Sequence, residues 1–183
     1  MQGEKFTNTT YTVKAILGLI EAREIAIPEI QRPFVWRATQ VRDLMDSLYK
    51  GYPTGYLILW KNPNVKLKDG TISSGKKVVI DGQQRITALM TAVAGQKVMN
   101  KNFEETRIKI AFNPFAALSK DNDAEIFAVQ TPAHLKSKNW IPDIAEIFKP
   151  EFSSFNFILK YCKDNPEIDC DTLSHVIDKL RSI

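Results

Sequence analysis

Residues 78–90, VVIDGQQRITALM, change from one hydrophobic periodicity to another within a few positions. Val78, Val79 and Ile80 read as the end of a buried strand, whereas Ile86, Leu89, Met90 and Val93 recur at helical spacing. Such a switch predicts a strand that ends where a helix begins. The junction itself is Asp81-Gly82-Gln83-Gln84-Arg85, an acid, a glycine, two amides and an arginine in a row.

The same periodicities organise the flanks. Thr12 is placed to cap a helix whose apolar face is Val13, Ile16, Leu17 and Ile20. EIAI at 24–27 reads as a short strand. In PEIQRPFVW, residues 28–36, Pro33 pushes Arg32 away from helical dihedrals, which predicts an extended loop carrying Gln31 and Arg32. Thr39 is the expected N-cap of a helix striped by Val41, Leu44, Met45 and Leu48, with Gly51 as its stop. YLILW, 56–60, is continuously apolar and predicts a buried strand. Residues 61–75 read as a surface excursion. KVVI at 77–80 is the strand of the junction, and the helix after it is expected to stop near Gly95. RIKIAF, 107–112, alternates as a half-buried strand does, and EIFAV, 125–129, reads as another. From Ile141 onward the pattern is of short amphipathic helices. The order predicts an α+β fold, a small mixed sheet with surrounding helices, in two parts: a domain over 1–140, and over 141–183 the start of a helical extension. The last helix has no closing element after it, which suggests the N-terminal portion of a longer protein.

Composition narrows the class. The 183 residues are 44% hydrophobic and 25% charged, which excludes a disordered chain. No apolar run approaches the roughly 20 residues of a membrane span, and MQGEKFTNTT lacks the pattern of a secretory signal, so a cytoplasmic protein without membrane contact is expected. Cys162 and Cys170 form neither a disulfide framework nor a metal-ligand pattern. A net charge of +4 permits anionic partners without requiring them.

Two accounts of the junction stand side by side. In the first, Asp81 is an N-cap, Gln84 three residues on completes a capping box, and Arg85 is a solvated first-turn residue. The second starts from what capping leaves unexplained. A helix start attracts anions. Gly82 would let a ligand approach the backbone. An arginine in a first turn opposes the helix dipole unless an anion such as a phosphate compensates it. Asp81 could then hold a magnesium ion through phosphate oxygens and water, and Gln83 or Gln84 could orient a water for attack on a phosphoryl group. The chain has no GxxxxGK[ST] loop, so this would not be a Walker site.

A second constellation is Gln31, Arg32 and Trp36. Trp36 could plug the core and Arg32 pair with a surface acid, or Arg32 could supply a second cationic arm of a phosphate clamp. Lys66, Lys68, Lys76 and Lys77 make either a solvated loop or a contact with DNA phosphates. His134 and His175 lack partners at ligand spacing, and no GxSxG supports a serine nucleophile.

The two segments IPEIQRPFVWRATQVRDLMDSLYKGYPTGYLILW and VVIDGQQRITAL, in this order, resemble the N-terminal domain of GmrSD-type restriction proteins, a ParB/sulfiredoxin-like group. The resemblance covers residues 12–95 well, through QR-x-x-x-W and DGQQR. It implies nucleoside triphosphate binding, with hydrolysis in some members, at the DGQQR segment, and hence magnesium. It also implies a C-terminal nuclease domain, absent from these residues, that attacks modified phage DNA. By position, Asp81, Gly82, Gln83, Gln84 and Arg85 match the central motif and Gln31, Arg32 and Trp36 the upstream one. Thr87 falls where members carry a small or hydroxyl residue. The expectation is thus an NTP-binding and hydrolysing regulatory domain, catalytic through Asp81, Gln83, Gln84 and Arg85, and reaching DNA through the full-length protein. The alternatives are a non-catalytic DNA-binding module and a phosphodiesterase acting through DGQQR. Whether the chain forms a homodimer is left open.

Overall fold

A computed structural model describes residues 6–27, 33–61, 67, 70–72, 75–121 and 123–183. Its elements run α1 (Val13–Glu21), β1 (Ile25–Ala26), α2 (Ala38–Lys50), β2 (Ile58–Lys61), β3 (Lys77–Asp81), α3 (Gln83–Ala92), β4 (Val98–Met99), β5 (Glu105–Thr106), β6 (Ile110–Phe112), α4 (Pro114–Leu118), β7 (Phe127–Val129), α5 (Pro132–Lys136), α6 (Ala145–Phe148), α7 (Ser154–Asp164) and α8 (Cys170–Arg181). The fold is mixed α+β, with small sheets and a helical C-terminal segment. In the largest sheet β3 lies between β1, which it pairs in parallel, and β2, which it pairs antiparallel.

Local signals behave as their chemistry requires. Thr12 Oγ1 accepts from Ala15 N at 3.2 Å and caps α1. Gly51 ends α2 in the left-handed conformation, φ 74°. The start of α2 differs from expectation: the N-cap is Arg37 rather than Thr39, because the amide of Gln40 reaches back and its Oε1 accepts from Arg37 N at 2.9 Å. Gln40 thus takes the position that fixes the first turn, and Thr39 lies inside the helix.

YLILW is not a buried strand. Of the residues in β2, Ile58 is 52% and Trp60 50% exposed, and Tyr56 just before it is 75% exposed. Among the described residues β2 pairs only with β3, and its side chains alternate between a covered and an open face. Leu57 and Leu59 pack inward, against a small cluster of Ile16, Ile25, Val79 and Ile86. The reverse holds for RIKIAF. Ile110, Ala111 and Phe112 in β6 are all fully buried, because β7 pairs alongside and helices cover the strand.

Packing also runs across position 140. Phe112 and Ile141 exchange both backbone hydrogen bonds, at 2.9 and 2.8 Å. Leu173, Val176, Ile177 and Leu180 of α8 share one apolar cluster with Val41, Met45, Phe112 and Phe127. Tyr49, Phe112 and Phe127 meet edge-on or tilted at 5.1–5.6 Å between centroids, and the Lys179 ammonium of α8 sits 4.3 Å from the Tyr49 ring centre. Burial pushes the Tyr49 phenol up to about 12, so it stays neutral beneath that ammonium. The backbone N–H of Val13 donates to the carbonyl of Ile183, which ties α1 to the end of the helical segment.

Ile177 is fully buried in the larger cluster. Ile177→Ala is therefore expected to remove about 2–5 kcal/mol from unfolding of the whole chain. In urea denaturation, tryptophan fluorescence and far-UV circular dichroism should shift together. Separate transitions would show that the helical segment folds apart from the sheet.

Candidate functional site

The strand-to-helix junction is built around Gly82. β3 ends at Asp81, Gly82 has φ 90°, and α3 starts at Gln83. A Cβ at Gly82 would lie 2.2 Å from Leu57 Cδ2 and 3.2 Å from an Arg85 guanidinium nitrogen. The glycine is required by both backbone conformation and space, and the group that approaches it closely is Leu57.

Asp81 does not cap the helix. The N-cap is Gly82, which has no side chain to bond the first turn. Asp81 points instead to solvent, its side chain 64% exposed, with Oδ2 accepting from Arg85 Nη2 at 3.1 Å. An exposed i,i+4 pair of this kind contributes little by itself. The stronger contacts of Arg85 go elsewhere. Its Nη1 donates to the Thr54 carbonyl and its Nη2 to the Tyr56 carbonyl, both at 2.7 Å. Between those carbonyls lies Gly55, φ 84°, where a Cβ would stand 2.9 Å from Nη1. The guanidinium, 17% exposed, thus occupies a slot between two glycines. The carbonyls of 54 and 56 supply the negative partners that a first-turn arginine needs, in place of the anion the sequence suggests.

The two amides are also engaged. Gln83 Nε2 donates to the Val79 carbonyl at 3.1 Å. Gln84 Oε1 accepts from Val35 N at 3.0 Å, and its Nε2 donates to the Pro33 carbonyl at 3.3 Å. This amide holds the 33–36 stretch against α3, so the DGQQR segment and the described part of the upstream motif are neighbours. Trp36 in that stretch is half-buried and packs against the larger core. Gln31 and Arg32 lie outside the described residues, as do Lys66 and Lys68. Thr87 Oγ1 donates to the Gln83 carbonyl at 2.9 Å, one turn back along the helix.

Thr54, Gly55 and Tyr56 are the participants that sequence reasoning passed over. Their signal was Pro53-Thr54-Gly55, a turn just ahead of an apolar strand.

Other chemistries find little support. Among the described residues no group of three or more His, Cys, Asp or Glu side chains stands together. Burial first, then a hydrogen bond with Cys170, pushes the Cys162 thiol up to about 11, too high for a nucleophile at neutral pH. His134 is held locally: its Nδ1 accepts from Thr131 N at 3.0 Å, and its ring packs on Trp140.

The sequence profile of the GmrSD restriction endonuclease N-terminal domain family matches residues 13–178, nearly the whole chain. The chain is also 27% identical over 115 aligned positions to an uncharacterized protein of Methanocaldococcus jannaschii, an alignment that takes in 51% of this chain and 19% of that relative. The chain therefore spans about a fifth of that relative's length. Among the described residues no helix is long and apolar enough to cross a membrane. The chain belongs to the GmrSD restriction endonuclease N-terminal domain family.

Arg85→Ala would remove the donor of the part-buried Thr54 carbonyl and of the solvent-accessible Tyr56 carbonyl, an expected cost of about 1–2 kcal/mol. Hydrogen exchange should rise at the amides of 54–58 before it rises in α2. Gly82→Ala is expected to destabilise by about 1–3 kcal/mol from its left-handed backbone alone, with the Leu57 clash added. A thermal melt of that variant matching the parent would contradict the packing described.

Proposed function

We propose that this member of the GmrSD N-terminal family binds a nucleoside triphosphate at the β3–α3 junction, hydrolyses it with magnesium, and so regulates a nuclease domain elsewhere in a full-length antiphage restriction protein that attacks modified DNA. The observation that carries the reading is the bare start of α3. It has no side-chain cap and no acidic residue in its first turn. Its free N–H groups and positive dipole end therefore remain available to a phosphate. Arg85 fixes the geometry from behind, through the 54–56 turn, and adds positive charge beneath the junction.

The remaining roles follow from what each side chain has free. The carboxylate of Asp81 is exposed and oriented by Arg85. One such carboxylate suits magnesium, which takes one or two together with phosphate oxygens and water. Magnesium, when bound, offsets the charge of the phosphate oxygens. Gln83 uses its amide nitrogen on the Val79 carbonyl, which leaves its oxygen to accept a hydrogen bond from, and so orient, an attacking water. Gln84 keeps the 33–35 stretch in place, and the nucleotide contacts that the upstream motif implies fall to Gln31, Arg32 and Trp36.

The test uses Asp81→Asn, which changes an exposed side chain and so keeps the fold. With magnesium and each nucleoside triphosphate in turn, the parent domain should release phosphate. Nucleotide at 100 times its dissociation constant should add about 2.7 kcal/mol of apparent stability. Asp81→Asn should bind and fail to release phosphate. Absence of both stabilisation and release in the parent would end this reading.

One observation favours DNA contact without catalysis. Lys61 and Lys77 stand directly opposite each other across β2 and β3, an arrangement that costs stability unless an anion bridges it. Salt-dependent binding of duplex DNA that is unaffected by nucleotide, and lost in Lys61→Gln with Lys77→Gln, would establish it.

A further inference from the structure

β2 is an edge strand. Among the described residues its backbone is paired on one side, with β3, and no backbone hydrogen bond reaches 57–61 from the other. The free N–H and C=O groups of such an edge are a template for a further strand, and charges or prolines in the strand usually blunt it. The run GYLILW, 55–60, contains neither, and Lys61 comes only at the last position of β2. The extra residue of the ladder belongs to β3: Ile58 stands opposite Asp81 and Leu59 opposite Val79, which leaves Ile80 unpaired.

The side chains of this run divide between two faces. Leu57 and Leu59 pack into the small cluster. Tyr56, Ile58 and Trp60 are exposed, and Ile80 beside them is 53% exposed. A large side chain covers about 150–250 Å² in full, so these four offer on the order of 450 Å² of apolar surface. Single exposed apolar residues are ordinary, whereas a patch of this order next to a bare strand edge marks an interaction surface.

We infer that the edge of β2 pairs antiparallel with β2 of a second copy of this chain about a two-fold axis, which joins two three-stranded sheets into one. An interface of that symmetry must be self-complementary, and 55–61 meets the condition. With the axis at Ile58, Ile58 meets its own mate, Leu57 meets Leu59 on the covered face, and Tyr56 meets Trp60 on the open face. Cross-strand aromatic pairs of this kind are favourable. Lys61 falls opposite Gly55 of the second copy, so the two lysines do not face each other. The apolar area on each copy is near half of the roughly 800 Å² of a standard interface. The dimer is therefore weak and reversible, with a dissociation constant on the order of 10–100 µM.

The experiment is sedimentation equilibrium of the whole chain, free of nucleotide and DNA, at concentrations from about a tenth of that constant to ten times it. The weight-average mass should rise from that of one chain towards that of two. Trp60→Lys and Ile58→Lys change exposed positions, and each should weaken association at least tenfold by setting charge against the apolar face of the other copy. Phe155→Lys, at a 70% exposed position of α7, should leave association unchanged. Ile58→Cys gives a second measurement: oxidised glutathione should join two chains through position 58 beyond the level of the parent, and Phe155→Cys should not. A monomer at every concentration, or association that both β2 variants leave intact, would overturn the inference. So would a monomer whose tryptophan fluorescence is quenched by single-stranded DNA through Trp60, which would give the face to nucleic acid.

Discussion

The guanidinium of Arg85 joins three segments that the chain itself keeps apart: the turn at 54–56, the end of β3 and the first turn of α3. A single side chain here donates to two backbone carbonyls of one turn, the part-buried one of Thr54 and the exposed one of Tyr56. Three of the five N–H donors of the arginine are committed in this way. Gly55 and Gly82 leave room for the planar group on either side, so the slot depends on two positions where any Cβ would intrude. That contact ties the turn leading into β2 to the start of α3, beside the ladder that pairs β2 with β3.

Helix α3 is the axis about which the rest is arranged. Ile86, in its first turns, belongs to the small cluster with Ile16, Ile25 and Val79, whereas Ala88, Leu89 and Ala92 belong to the larger one. Met90 packs against both. A single helix thereby closes two cores. Its start presents uncapped N–H groups next to Asp81, and its end abuts Arg107 and Lys109 through Thr91. The larger core reaches from α2 to α8 without a break at 140, which places the C-terminal helices in the same packed body as the sheet.

Much of this was legible in the residues. The change of period at Asp81, the cap at Thr12 and the stop at Gly51 are local events, each decided by a few neighbouring side chains. The misreadings were of another kind. YLILW is apolar throughout, yet Ile58 and Trp60 face outward, because apolar character says nothing of how many faces will be covered. RIKIAF alternates, yet β6 is buried on both sides by β7 and by helices distant in sequence. Thr39 has the chemistry of a cap, and Gln40 one residue later had the reach.

The sequence by itself determined where α1, β3 and α3 lie, which residues are gathered at the β3–α3 turn, and that no Walker loop is present. Tertiary structure decided what those residues touch. Arg85 finds its acceptors 29 and 31 positions away, and Gln84 its partners 49 and 51 positions away. Periodicity records which side of an element is apolar, a property of neighbours along the chain. The partner of a polar side chain depends on how strands and helices cross, and that is fixed only when the two cores have packed.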